Sequence, residues 1–133
     1  MLGATEVLLH KNLVVAKEQG IFADIVANRE RLFALLAEYA REVAGTAIVY
    51  DGNRHPYFFA DHNADGLPDQ REGAPVAYAS WTPRLLKAAY NWKFVGADAG
   101  IHVHNPHYAL QLLFDSAEDL SVGLGRDLSD MAR

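Results

Sequence analysis

The chain has 133 residues, half of them hydrophobic and 22% charged, with 17 acidic and 12 basic side chains and a net charge of −5. The length suits one domain and the apolar fraction excludes a disordered chain, while no apolar stretch approaches the about 20 residues of a membrane-spanning helix, which excludes a transmembrane protein. The dispersed bases argue against nucleic-acid binding, and the absence of cysteine excludes disulfides, thiolate metal sites and a cysteine nucleophile.

The N-terminal third is predicted to form two helices, because the first 55 residues contain no proline. Gly20 and Gly45 are expected to end these helices, which places them at about 5–19 and 21–44. Apolar residues of the second helix recur at three- and four-residue steps and predict one buried stripe, formed by Leu32, Leu35, Leu36, Tyr39 and Val43. The two helices together would form an N-terminal hairpin.

The next segment, 46–81, changes character. Thr46–Tyr50 is rich in β-formers, Asp51-Gly52-Asn53 is a turn signal, and Tyr57–Phe59 is a compact aromatic cluster. These features predict a small β-hairpin ahead of the most informative motif in the chain.

That motif is a twelve-residue calcium loop at 61–72. A calcium loop supplies side-chain oxygens at positions 1, 3, 5 and 9, a backbone carbonyl at 7 and a bidentate glutamate at 12, with glycine at the sharp turn of position 6. Gly66 occupies that sixth position. The predicted ligands are Asp61, Asn63, Asp65, the carbonyl of Leu67, Asp69 and Glu72.

Charge and flanking sequence refine this prediction. Four acids against Arg71 give the loop a charge of −3, which is self-repelling without a cation. Pro56 and Pro75 argue against the long flanking helices of a sensor EF-hand, and the loop resembles the "DGLPD" loops of bacterial extracellular calcium-binding repeats. That resemblance implies a fixed structural ion and a periplasmic or extracellular location. The alternative is a solvated acidic turn, because Asp, Asn and Gly are ordinary turn residues.

Two C-terminal helices have explicit start signals. Thr82-Pro83 and Asn105-Pro106 place proline at the first helical position, which predicts helices at about 83–95 and 106–120. The tail from Asp127 to Arg133 is expected to be loose.

The predicted fold is therefore mainly α, in a single domain of residues 1–133. An N-terminal helical hairpin (1–45) and a C-terminal helix pair (82–121) are joined by an irregular calcium-binding loop segment (46–81). A short tail (122–133) follows.

Three of the six histidines cluster at positions 102, 104 and 107. In an extended segment His102 and His104 point to the same side, and His107 in the next helix could approach them. One hypothesis is an enzyme that holds a transition metal with these three residues. The alternative is that each is a hydrogen-bonding surface group.

The segment from Trp81 onward resembles a known family. Its "WTPRLLKAAYNWKFV" run, followed by "GIHVHNPHYALQLLFDSAEDL" at 100–120, is similar to the C-terminal region of bacterial multihaem c-type cytochromes. The acidic loop that precedes these runs fits the same arrangement, so the resemblance covers about 57–121. The chain departs from the family in having no Cys-x-x-Cys-His motif, so haem c would be carried by another segment or chain.

The resemblance implies a role for a histidine, because these cytochromes bind each haem iron between two histidines. His104 is the best-matched distal ligand, and His102, His107 and His10 are further candidates. The helical aromatics are expected to be ordinary core rather than haem-stacking groups, namely Tyr90, Trp92, Phe94, Tyr108 and Phe114.

The leading functional hypothesis is a non-catalytic, calcium-stabilised scaffold domain or subunit of a multihaem electron-transfer protein. Its partner would be a haem-bearing segment or subunit, and oligomer formation is left open. The alternative is an extracellular, calcium-stabilised protein-binding module without a redox role, with a helical face or the Tyr57–Phe59 cluster as its contact surface.

Overall fold

The computed structural model describes residues 4–97 and 105–132, and the side chains of these residues except 4–19 and 97. In this part of the chain, three α-helices and four short strands follow in sequence. They are α1 (Ala4–Tyr39, continued by a π-helical turn at Ala40–Ala44), β1 (Ala47–Tyr50), β2 (Phe58–Asp61), β3 (Gln70–Arg71), β4 (Ala74–Pro75), α2 (Pro83–Ala97) and α3 (Pro106–Leu124).

The first helix is a single rod rather than a hairpin. Gly20 lies inside α1 and does not end it, so the predicted N-terminal helical hairpin is wrong. One interior glycine costs a helix only about 1 kcal/mol relative to alanine, and a long run of helix formers on both sides outweighs this cost. The predicted stop at Gly45 is confirmed, since this residue adopts φ 88° and its N–H bonds to the carbonyl of Ala40.

The apolar stripe of α1 is buried except at its end. Leu32, Leu35 and Leu36 are fully buried and Tyr39 is 5% exposed, whereas Val43 is 47% exposed. Val43 lies in the π-helical turn. The wider spacing of this turn rotates its residues away from the stripe that a regular α-helix would continue.

Two small antiparallel sheets occupy the middle of the chain, so the prediction of a mainly α fold with an irregular connection is wrong. β1 pairs with β2, which confirms the predicted hairpin, and β3 pairs with β4. β2 is also bonded to the segment that follows β4: the N–H of Ala60 donates to the carbonyl of Val76, and the N–H of Tyr78 donates to the carbonyl of Phe58. Turn residues and prolines prevent a helix here, so the backbone groups of this segment satisfy one another across strands.

The core lies between α1, α2, α3 and the β1–β2 sheet. Trp92 of α2 is at the centre of an aromatic cluster, with ring centroids 4.7 Å from Tyr50 and 4.9 Å from Phe33. Trp92 and Phe114 are buried as expected, but Tyr90, Phe94 and Tyr108 are 68%, 38% and 50% exposed, so their assignment to the core is wrong. None of the described helices combines the length and apolarity needed to cross a lipid bilayer.

The C-terminal helices begin where predicted and end later. Pro83 and Pro106 are the first residues of α2 and α3, and the Thr82 hydroxyl caps α2 by accepting the Leu85 N–H. Gly96 is inside α2, whereas α3 ends at Gly125, which adopts the left-handed conformation at φ 65°. Proline therefore marks the start of both C-terminal helices correctly, whereas Gly96, like Gly20, does not end its helix.

The chain after α3 packs back onto α1. Met131 is buried, the side-chain amide of Asn28 donates to the carbonyl of Ala132, and Ala132 N–H donates to the Asn28 side-chain oxygen. Arg31 pairs with Asp130. The expectation of a loose tail is therefore wrong, because buried apolar and polar contacts on α1 hold the tail in place.

Candidate functional site

The acidic loop is built around Asp61, the last residue of β2. Its side chain is buried, at 2% exposure, and its two carboxylate oxygens accept the backbone N–H groups of Asp65 (3.1 Å) and Gly66 (2.9 Å). The N–H of Ala64 bonds to the carbonyl of Asp61. The loop therefore curls around one carboxylate, whose oxygens retain lone pairs for a further partner.

Asp65 stabilises the next step of the same turn. Its carboxylate accepts the Leu67 N–H at 2.9 Å and the Asn63 side-chain amide at 3.3 Å, and the bond from Leu67 is the main reason that the pKa of Asp65 lies below its usual range. Gly66 adopts φ 85°, a conformation that favours glycine. The first seven loop positions thus form one compact turn.

Asp69 is engaged with a residue that the motif does not include. Its carboxylate accepts the backbone N–H of His62 at 3.0 Å and contacts the Nδ1 atom of the same histidine. These bonds lower the pKa of Asp69. His62 was not among the predicted site residues, and no local signal in the sequence indicates its bond to Asp69.

Glu72 lies apart from the first turn. It adopts φ 53° and forms, with Gly73, the two-residue turn between β3 and β4, where it is exposed. Among the side chains that the structure describes, no group of three or more His, Asp or Glu is assembled closely enough to hold a metal ion. The structure therefore brings Asp61, Asn63 and Asp65 into one turn and leaves Glu72 in another, and the calcium site stays a prediction.

Of the four predicted histidine ligands, the structure describes the side chain of His107 and not those of the other three. His107 is exposed in the first turn of α3. His10 lies in α1, and its side chain is outside the described part. His102 and His104 lie outside the described residues, and so does the proposed grouping of the three clustered histidines.

The outer face of α2 carries an exposed apolar stripe. Leu86, Tyr90 and Phe94 follow one another at four-residue steps and are 53%, 68% and 38% exposed, and the rings of Tyr90 and Phe94 are stacked at an interplanar angle of 10°. The opposite face of α2 is buried against α1 and α3. The helix also carries three basic residues and no acidic one, namely Arg84, Lys87 and Lys93, in a chain whose net charge is negative.

The chain is similar to two known cytochromes over most of its length. The chain is 29% identical over 109 residues, 75% of its length, to the C-type polyheme cytochrome OmcC of Geobacter sulfurreducens, and equally to the C-type polyheme cytochrome OmcB of the same species. The chain is related to a part of these cytochromes. The match covers 14% of each relative, so the chain spans about one seventh of their length. No protein-family model and no solved structure matches the chain.

This similarity confirms the resemblance to multihaem c-type cytochromes, over a part of their length. The calcium loop receives no support from the comparisons. The absence of cysteine separates this chain from any segment that attaches haem c through a Cys-x-x-Cys-His motif.

Proposed function

We propose that this chain is a non-catalytic scaffold within a multihaem cytochrome electron-transfer protein that works in the periplasm or outside the cell. The observation that carries the proposal is the similarity to polyheme cytochromes over 75% of the chain. Because the chain has no cysteine, haem c belongs to another segment or subunit, which is the partner of this one. The scaffold contributes shape and contacts rather than a redox centre of its own.

The second part of the proposal concerns a haem ligand. A neutral imidazole is a strong axial ligand for haem iron, and the Val-His-Asn sequence at 103–105 makes His104 the preferred candidate. His102, His107 and His10 are the alternatives. The exposure of His107, three residues beyond His104, is consistent with a partner that approaches the start of α3.

The third part concerns calcium. We propose that Asp61, Asn63, Asp65, the Leu67 carbonyl, Asp69 and Glu72 bind one calcium ion, with the ion offsetting the −3 charge of the loop. The compact turn around Asp61 supports this, because both of its oxygens are already oriented by backbone N–H groups and keep lone pairs. The ion would join this turn to the β3–β4 hairpin.

The exposed stripe of α2 also favours the competing function, a calcium-stabilised protein-binding module without a redox role. A solvent-facing row of Leu86, Tyr90 and Phe94 on a helix that is already packed on its other side is typical of a contact surface. The two proposed functions differ in whether the partner that the chain contacts carries haem.

The decisive experiment is isolation of the chain, with whatever accompanies it, from its source organism under mild conditions. We expect a Soret band and covalent haem to co-purify with it in stoichiometric amount. A colourless, haem-free preparation that contains the full gene product and its stable partners would contradict the cytochrome assignment and favour the binding module.

The ligand assignment is tested in the same haem-containing assembly. His104→Ala is expected to abolish the low-spin bis-histidine signal of one haem in electron paramagnetic resonance. His55→Ala is the matched control, because His55 is exposed in the β1–β2 connection and its ring packs edge-on against Tyr57. Unchanged spectra for both variants would contradict the role of His104.

A further inference from the structure

A groove between α1 and α2 lies beside the exposed face of α2. Its volume is about 490 Å³ and it is open to solvent, and its lining combines aromatic and aliphatic side chains with one cation and one exposed acid: Ile25, Val26, Arg29, Glu30, Phe33, Trp92 and Gly96. Grooves of this size and lining are typical of small-molecule sites.

Arg29 is held firmly in this groove. Its guanidinium carbon lies 3.9 Å from the centre of the Trp92 ring, its Nε–H donates to the Trp92 carbonyl at 3.1 Å, and the Trp92 indole N–H donates back to the Arg29 carbonyl. Gly96 makes room for the cation, since a Cβ at this position would lie 2.1 Å from Arg29 Nη2. The guanidinium is therefore pre-positioned against the aromatic wall.

This cation has no carboxylate partner among the described residues. Of its five N–H donors only the one on Nε has an acceptor there, and no ion pair joins it to the neighbouring Glu30. Burial lowers the pKa of Arg29, yet an arginine remains charged at neutral pH. A partly desolvated guanidinium with free donors is suited to bind a carboxylate, and the aromatic lining suits a flat apolar body attached to it.

We propose that the groove binds the propionate-bearing edge of a haem carried by the partner segment, with Arg29 binding a propionate and the more accessible side chains of Val26 and Phe33 contacting the macrocycle. This inference rests on the proposed function, and charge complementarity to Arg29 selects the occupant: a haem edge supplies both a flat apolar surface and the carboxylate partner that Arg29 lacks among the described residues. The groove is thus a proposed contact with haem in addition to the proposed ligation of its iron by a histidine.

Metal-free protoporphyrin IX is the probe, because without iron it cannot be ligated by a histidine. We expect saturable quenching of tryptophan fluorescence in the full chain, and at least tenfold weaker binding of protoporphyrin IX dimethyl ester, which lacks the carboxylates. Equal binding of acid and ester, or no saturable binding, would overturn the proposal.

Substitutions locate the site. Arg29→Gln is expected to weaken binding of the acid about tenfold and to leave the ester unchanged. Because Arg29 also links α1 to α2, Val26→Asp gives a second test at an exposed position of the groove, with Ala27→Asp as the charge-matched control on the next, exposed residue of α1. Glu30→Gln is expected to strengthen binding severalfold. If protoporphyrin IX binds the Val26→Asp and Ala27→Asp variants with equal affinity, its assignment to the groove is overturned.

Failure here is distinguishable from failure of the proposed function. If haem co-purifies with the chain but acid and ester bind alike, the cytochrome assignment stands and the groove assignment falls. If the complete native protein is haem-free while Arg29 still selects the acid, the haem partner is overturned and a carboxylate site of another kind is left.

Discussion

The helical body and the loop segment of this molecule are held together by different forces. In the body, side chains such as Leu32, Leu36 and Leu113 are completely removed from water, so burial of apolar surface stabilises it. In the segment 61–75 most residues are exposed, and its order depends on carboxylates that accept backbone N–H groups. The body should therefore respond to changes of side-chain volume, and the loop to changes of charge, pH and cation.

The largest expected effect is in the body. Leu36→Ala should lower the free energy of unfolding by about 2–5 kcal/mol, because it leaves a cavity in a fully buried position. Leu67→Ala is the control: Leu67 is 66% exposed in the loop, so about 0.5 kcal/mol or less is expected. Urea unfolding measures both, and calcium should not restore the Leu36→Ala loss. Similar losses for the two variants would break the contrast between body and loop.

The next effect is at the loop's buried carboxylate. Asp61→Ala removes the acceptor of two N–H groups and is expected to cost about 1–3 kcal/mol. Asp24→Ala makes the same charge change at an exposed site of α1 and should cost much less. If calcium binds as proposed, Asp61→Ala, Asp65→Ala and Glu72→Ala also remove the calcium dependence of the melting temperature. A melting curve of the unaltered chain that is the same with calcium and with chelator would reject that part.

A smaller effect is expected where the tail meets α1. Asn28→Ala deletes the two hydrogen bonds to Ala132 and should lower stability by about 1–2 kcal/mol, with faster proteolysis after α3. Asn53→Ala, at an exposed position of the β1–β2 turn, is the matched control. If proteolysis of the tail is unchanged in Asn28→Ala, the tail is not held by this contact.

The smallest effect is the pH response of the loop. The pKa values of Asp65 and Asp69 are lowered by hydrogen bonds, so the stability that they contribute is complete above the unfolded value of about 3.9 and is lost as pH falls through the lowered values. Carbon-13 titration of the carboxyl groups should show both midpoints below that reference. His62→Ala should raise the pKa of Asp69 and leave that of Asp65 nearly unchanged, since among the described residues His62 forms hydrogen bonds with Asp69 and not with Asp65. Equal shifts at both residues would contradict this assignment.

Local signals predicted the elements that depend on local chemistry. Proline at the first helical position located Pro83 and Pro106, and the turn at 51–53 predicted the β1–β2 hairpin. Features set by tertiary contacts were missed. Burial of Met131 depends on long-range packing, and the exposure of Tyr90 follows from which face of α2 meets α1 and α3.

The candidate site divides in the same way. The residues of the acidic turn follow from the spacing of the motif, and the structure brings Asp61, Asn63 and Asp65 together. The bond between His62 and Asp69 was not predictable, because it depends on how β2 and the segment before β3 are placed by the bonds from Asp69 to Ala60 and from Val76 to Asp69. The contacts between Arg29 and Trp92 were not predicted for the same reason, because the two residues are 63 positions apart in the sequence.

If calcium binds as proposed, it orders the acidic loop while the helical body needs no cation, and amide hydrogen exchange with and without calcium tests this contrast most directly. The account predicts that the amides of Asp65, Gly66 and Leu67 exchange much more slowly in calcium chloride than in chelator, while those of Leu36 and Leu113 exchange at the same rate in both. Equal exchange of the loop amides in the two conditions would contradict it.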